Sequence, residues 1–147
     1  MLQARQPKLY AEMGSPDTVE GRFELMTAHI ILLIEALDAQ GERARSQSVF
    51  DIYISNLDGA LREMGVGDLS VGKRIRGLGE AFYGRAAALR EAFSRLPDRT
   101  LLTALAQRTV FADAPQRDPA ALVDYFVRCR LELRNAPVLA SPLWPMP

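Results

Sequence analysis

Apolar residues recur along this chain at every third or fourth position, the spacing of one face of an α-helix. Phe23, Met26, Ile30, Leu33, Ile34 and Leu37 form the clearest stripe, and Ile31 and Leu32 widen it. That breadth predicts the central, most buried helix. Thr18 is placed to cap its start, Asp17 and Glu20 sit where the helix dipole favours acids, and Gly41 ends it. A second stripe of Phe50, Tyr53, Ile54, Leu57, Leu61 and Met64 stops at Gly65. A third carries Val71, Ile75, Leu78, Phe82, Leu89 and Phe93 inward, with Asp68 or Ser70 as its cap. Gly72, Gly77, Gly79 and Gly84 interrupt it, each costing up to about 1 kcal/mol relative to Ala. Their presence predicts either close approach of another backbone or a kink.

A short helix through Leu101, Leu102, Leu105 and Val110 follows the break at Pro97. Asp118-Pro119 signals the start of a last helix, with Leu122, Val123, Phe126, Val127 and Leu131 inward and its end near Asn135. An opening helical piece around Leu9 and Tyr10 ends at Gly14. No segment alternates with the period of a strand, and no repeat is present. The fold expected is all-α: a single-domain bundle of five to six helices over residues 1–136, then a proline-rich extended tail, 137–147, holding Trp144.

Composition changes this picture little. The chain has 147 residues, 48% hydrophobic and 24% charged, which suits one globular domain. The formal charge of zero gives no overall field toward nucleic acid or an anionic membrane, and no specific DNA binding is expected. The charge is nevertheless polarised. Residues 1–65 carry six Lys/Arg against ten Asp/Glu, and residues 66–147 carry twelve against eight, or about −4 and +4. The longest strongly apolar run, Ile30 to Ile34, is far below the roughly 20 residues that cross a bilayer. With one cysteine and an opening that lacks the apolar stretch of a signal peptide, the chain reads as a protein of the cytosolic side.

Gly67 to Lys73 spells G-x-x-x-x-G-K, seven of the eight positions of a phosphate-binding loop. Arg74 stands where Ser or Thr should hold magnesium, Asp68 would repel phosphate, and no strand precedes the segment. A turn between two helices explains the glycines instead, Gly65 taking the left-handed conformation. Around that turn crowd Asp58, Arg62, Glu63, Asp68, Lys73 and Arg74, with Asp58 and Arg62 spaced to pair. His29 reads as a hydrogen-bonded core residue and Cys129 as a small buried hydrophobe. Lys73, Arg74, Arg76, Arg85 and Arg90 suit ribosomal RNA, anionic lipid headgroups or the acidic first half of the chain. No catalytic set, no metal ligands and no cofactor are expected.

The segments "GRFELM" (21–26), "LDGALREMGVGDLSVGKRI" (57–75) and "AFYGR" (81–85) closely resemble the ubiquinol–cytochrome c chaperone domain, and "RQPKLYAEMGSPDTVEGRF" looks like its opening. The likeness covers roughly residues 5 to 110; Asn56 stands where the family often has an acid. The resemblance implies a helical, non-enzymatic assembly factor, here a bacterial member on the cytoplasmic side of the inner membrane and peripheral to it. Its implied client is newly made cytochrome b, held for assembly into the cytochrome bc1 complex. Mitochondrial members do this with a small partner protein and sit near the ribosome exit, which makes both candidate partners. The expected client surface is Arg22 with the corner residues Asp58, Arg62, Glu63, Asp68 and Lys73, flanked by Phe82, Tyr83 and Arg85. Arg62 and Arg85 are the expected charged anchors. The competing expectation is a helical module that takes quinone or lipid between its helices, the glycines of the third helix admitting a flat ligand.

Overall fold

The computed structural model describes residues 2–135 and 144–147, and among them it is an all-α fold of six helices with no strand. A 3-10 turn, Gln3–Arg5, precedes α1 (Pro7–Ala11). The long helices are α2 (Val19–Ala39), α3 (Arg43–Glu63) and α4 (Asp68–Ser94), followed by α5 (Thr100–Arg108) and α6 (Ala120–Asn135). The expected tail falls mostly on 136–143, outside the described residues; 144–147 are described and carry no regular structure.

Helix α2 is the axis of the body. It packs against α3, α4, α6 and the N-terminal turn, so nearly every side of it is covered. Leu25, Ile31, Leu32, Ala36 and Leu37 are its most buried apolar positions. Thr18 caps it as expected, its Oγ1 accepting from the Gly21 N–H at 3.0 Å, and Gly41 closes it with φ +78°. Gly21 is fixed by its surroundings: a Cβ there would lie 2.5 Å from the Pro16 carbonyl oxygen, which is backbone and has nowhere to go. Gly21→Ala is therefore expected to lower stability by about 1–3 kcal/mol in urea unfolding. An unchanged midpoint would contradict this.

Helix α6 lies against α2 and α5, and its Tyr125, Phe126, Cys129 and Leu133 fill the core. Its start follows the sequence signal, Asp118 Oδ1 accepting from the Ala120 N–H at 2.9 Å. Trp144 returns to the body, its ring centroid 5.1 Å from that of His29, and Pro145 O accepts from Gln3 Nε2 at 3.1 Å.

The elbow between α3 and α4 turns at Gly65, φ +83°, as expected. Neither Asp68 nor Ser70 caps α4. Gly67 is the N-cap residue, no side chain closes the cap, and Ser70 Oγ donates to Gly67 O at 3.0 Å. Because α4 begins at Asp68, Gly72 and Lys73 lie within a helix, so the near-match to a phosphate loop cannot form the cradle that binds phosphate.

Candidate client-binding site

The elbow is an extension of two helices that the body only partly covers. On α3 only Tyr53 of the apolar stripe is fully buried; Phe50, Ile54 and Leu57 are partly buried against the core, Leu61 is partly buried, and Met64 is 75% exposed. On α4 Val71 is buried, whereas Ile75 and Leu78 are half-covered. Ile52 and Tyr83 add exposures of 59% and 63%. The stripe continues past the elements that could bury it, which is why a pattern that predicts core delivers surface.

Where the two helices meet α2, the surface dips into a groove of about 490 Å³. Phe50 and Phe82 line it, with Tyr83, Ile34, Asp38 and Arg43 around them. The aromatic rings pack on one another: Phe50 lies 5.1 Å from Phe82 and 5.5 Å from Tyr83, and Tyr53 lies 5.3 Å from Phe82. Phe82 is itself buried, at 3% exposure, so it supports the surface and Tyr83 presents it. Spacing places Phe50 in the apolar stripe without showing that it borders a groove; that depends on missing cover, which local sequence does not carry, whereas Ile52 falls on the opposite face of α3.

The corner charges are organised by Arg62. Its Nε donates to Asp58 Oδ2 at 2.7 Å, and a second guanidinium nitrogen donates to Asp68, so one side chain ties the end of α3 to the start of α4. Asp58 lies eight residues beyond Phe50, about 12 Å along the helix. Glu63 and Lys73 are exposed beside this bridge, and Lys73, Arg74 and Arg76 have no ion-pair partner among the described residues. Arg85 is committed elsewhere. It holds the Glu24 carboxylate through two bonds, Nε donating to Oε2 at 2.6 Å, and its Cζ lies 6.0 Å from the Phe23 ring centroid. This locks α4 to α2 and leaves the guanidinium internally paired. Arg22, on the first turn of α2, pairs with Asp17 and lines a different groove. The nine residues expected to form one surface thus divide between the corner, the aromatic groove, an internal lock and a second groove.

The four glycines of α4 have no neighbour that requires them. A Cβ at Gly72, Gly77, Gly79 or Gly84 would meet nothing within 4 Å, so the expected close approach of another backbone within the protein is absent at these positions. Gly77→Ala combined with Gly79→Ala is expected to raise stability by about 1 kcal/mol or more in urea unfolding, since helix propensity alone decides the sign. A lower midpoint would show that the bare positions serve the fold.

The remaining candidates are core groups. His29 is 4% exposed; its Nδ1–H donates to Leu25 O at 2.7 Å, and Nε2 accepts from the Tyr125 hydroxyl at 3.0 Å. Burial lowers its pKa to about 4. Cys129 is fully buried, and burial pushes its thiol up to about 12, so it is a protonated thiol at neutral pH. Between α2, α4, α5 and α6 the crevice lined by Ala28, Ile31, Leu89 and Phe126 offers about 20 Å³, enough for about one water. A quinone or lipid needs hundreds of Å³, so that crevice does not receive one.

A family profile described as ubiquinol-cytochrome C chaperone matches residues 11–139. The chain belongs to the ubiquinol–cytochrome c chaperone family. A solved structure from Brucella abortus, of its Cbp3 homolog, superposes with a TM-score of 0.77 at 34% identity, covering 90% of this chain and 75% of that one. Comparison with curated proteins returned no match. The resemblance expected from the elbow segments is thereby established, and with it the role of a ubiquinol–cytochrome c chaperone. Among the described residues, no helix of this chaperone is long and apolar enough to cross a membrane.

Proposed function

We propose that this chaperone binds newly made cytochrome b and holds it for assembly of the cytochrome bc1 complex, without catalysis, at the cytoplasmic face of the inner membrane. The observation that carries the reading is the uncovered apolar surface of the α3–α4 elbow, with Tyr83, 63% exposed, lining the aromatic groove and Met64, 75% exposed, at the end of α3. Cytochrome b is a membrane subunit, so its segments expose apolar side chains before they are packed. An open groove between amphipathic helices suits transient helix-in-groove binding of such segments. The bare backbone at Gly72 and Gly79, seven apart and so on the face of α4 that carries Tyr83, supports it, since small residues let a second helix come close. Lys73, Arg74 and Arg76 add exposed cations that orient the encounter. In this reading Arg62 shapes the corner through Asp58 and Asp68, and Arg85 holds α4 in place.

The test is a deletion strain. Reduced-minus-oxidised spectra of its membranes should lose the bc1 cytochromes while the other cytochromes persist. Normal bc1 content in the deletion strain would refute the assignment.

A further inference from the structure

The aromatic groove is not uniform along its length. Two of its walls, α2 and α3, are joined by the short turn at Gly41 and packed on each other, so they run antiparallel. Both change character in the same direction. On α2, Ile34 gives way to Asp38 one turn later; on α3, Arg43 and Gln47 precede Phe50 on one face, spaced by four and three. The end next to the turn is therefore polar, and the end where Phe50 meets Phe82 and Tyr83 of α4 is apolar. Arg43 and Phe50 are separated by about 10 Å along the helix. Asp38, Arg43 and Gln47 are all exposed. Gln47 Nε2 donates to Asp51 Oδ1 at 2.7 Å, whereas Asp38 and Arg43 have no ion-pair partner among the described residues.

We infer that the groove takes the end of a transmembrane segment of the client, its apolar span on Phe50 and Tyr83 and its polar flank, carrying Lys or Arg, beside Asp38. The inference rests on the reading of this groove as the client's seat, and names the part of the client held there. An apolar segment running the full length would bury the Asp38 carboxylate with no partner, and burial of an unpaired charge is strongly unfavourable. A wholly polar segment would leave the aromatic end in water. A segment that turns from apolar to polar within about 10 Å meets both ends. The end of a membrane span changes in that way: its cytoplasmic flank carries an excess of Lys and Arg, and Trp and Tyr gather at the interface. The flanking cation pairs with Asp38, and interfacial rings stack on Phe50 and Tyr83. Arg43, at the first position of α3, keeps its hydration beside a polar flank and would lose it beside an apolar one.

The test places a photo-cross-linking benzoylphenylalanine in place of Gln47 and, separately, of Tyr83, in the full chain within its source cells. Irradiation and mass spectrometry locate each adduct on cytochrome b. Position 83 should react inside an apolar span near its end, and position 47 in the polar flank of that same span. Asp38→Lys should lower the adduct from position 47 about fivefold or more, and that from position 83 by about twofold at most. Persistence of the second adduct shows that the variant remains folded. The inference is overturned, with cytochrome b still the client, by adducts from both positions in mid-span, by adducts on two unrelated segments, by an adduct from one position alone, or by one at position 47 indifferent to Asp38→Lys. Adducts at neither position, or only on other proteins, overturn the client reading and this inference with it.

Discussion

Arg85→Ala is expected to lose about 2–3 kcal/mol of folding stability, because it strands the Glu24 carboxylate against α4 with no cation in reach. The pair is largely withdrawn from water, with side-chain exposures of 29% for Arg85 and 12% for Glu24, and it is bidentate. Surface bridges of the kind seen at Arg45 and Glu42 give little, since solvent screens them. Here removal of one partner leaves a desolvated charge, whereas removal of both does not. Arg85→Met combined with Glu24→Leu should therefore recover most of the loss. Urea unfolding of the two single variants, the double variant and the parent closes the cycle. A loss below about 1 kcal/mol in Arg85→Ala would reduce the pair to an ordinary surface bridge.

A comparable effect is expected from acid. His29 titrates near 4 in the folded chain against about 6.5 when unfolded, because burial of its imidazole outweighs the Nδ1–H bond to Leu25 O, which favours the charged form. A depressed histidine stabilises the fold fully above about 6.5, and that contribution is lost as pH falls through about 4. The span corresponds to about 3 kcal/mol. Glu35 acts in the opposite sense: burial raises its pKa, so its contribution is present in acid and lost as pH rises. Comparison with His29→Gln cancels that term, since Glu35 is common to both proteins. The stability difference between pH 7 and pH 4 should shrink by about 3 kcal/mol in the variant. Equal pH profiles would contradict the assignment of that acid sensitivity to His29.

Helix α2 was legible from spacing and caps alone, because Thr18, Gly41 and a broad apolar band act locally. So were the turn at Gly65 and the Asp58–Arg62 pair, which are set within one or two helical turns. The failures share a cause. Spacing identifies the apolar face of α3 and α4 but not whether a third element covers it, so Met64 read as core and stands in solvent. The need for glycine at position 21 comes from the path of the Pro16 carbonyl, which leaves no trace in a helical pattern. The Arg85–Glu24 and His29–Tyr125 contacts join residues 61 and 96 positions apart, beyond any local rule. Arg22 is expected beside the corner residues, but the fold gives it to the opening of α2 and a different groove.

Tyr83 and its aromatic neighbours are the proposed seat of cytochrome b. Affinity capture from solubilised membranes with the tagged chaperone and its Tyr83→Asp variant tests it most directly, because Tyr83 is exposed and its replacement leaves the core untouched. The parent should recover cytochrome b, and the variant about tenfold less at unchanged helix content. Equal recovery by the two, or none by the parent, would contradict the account.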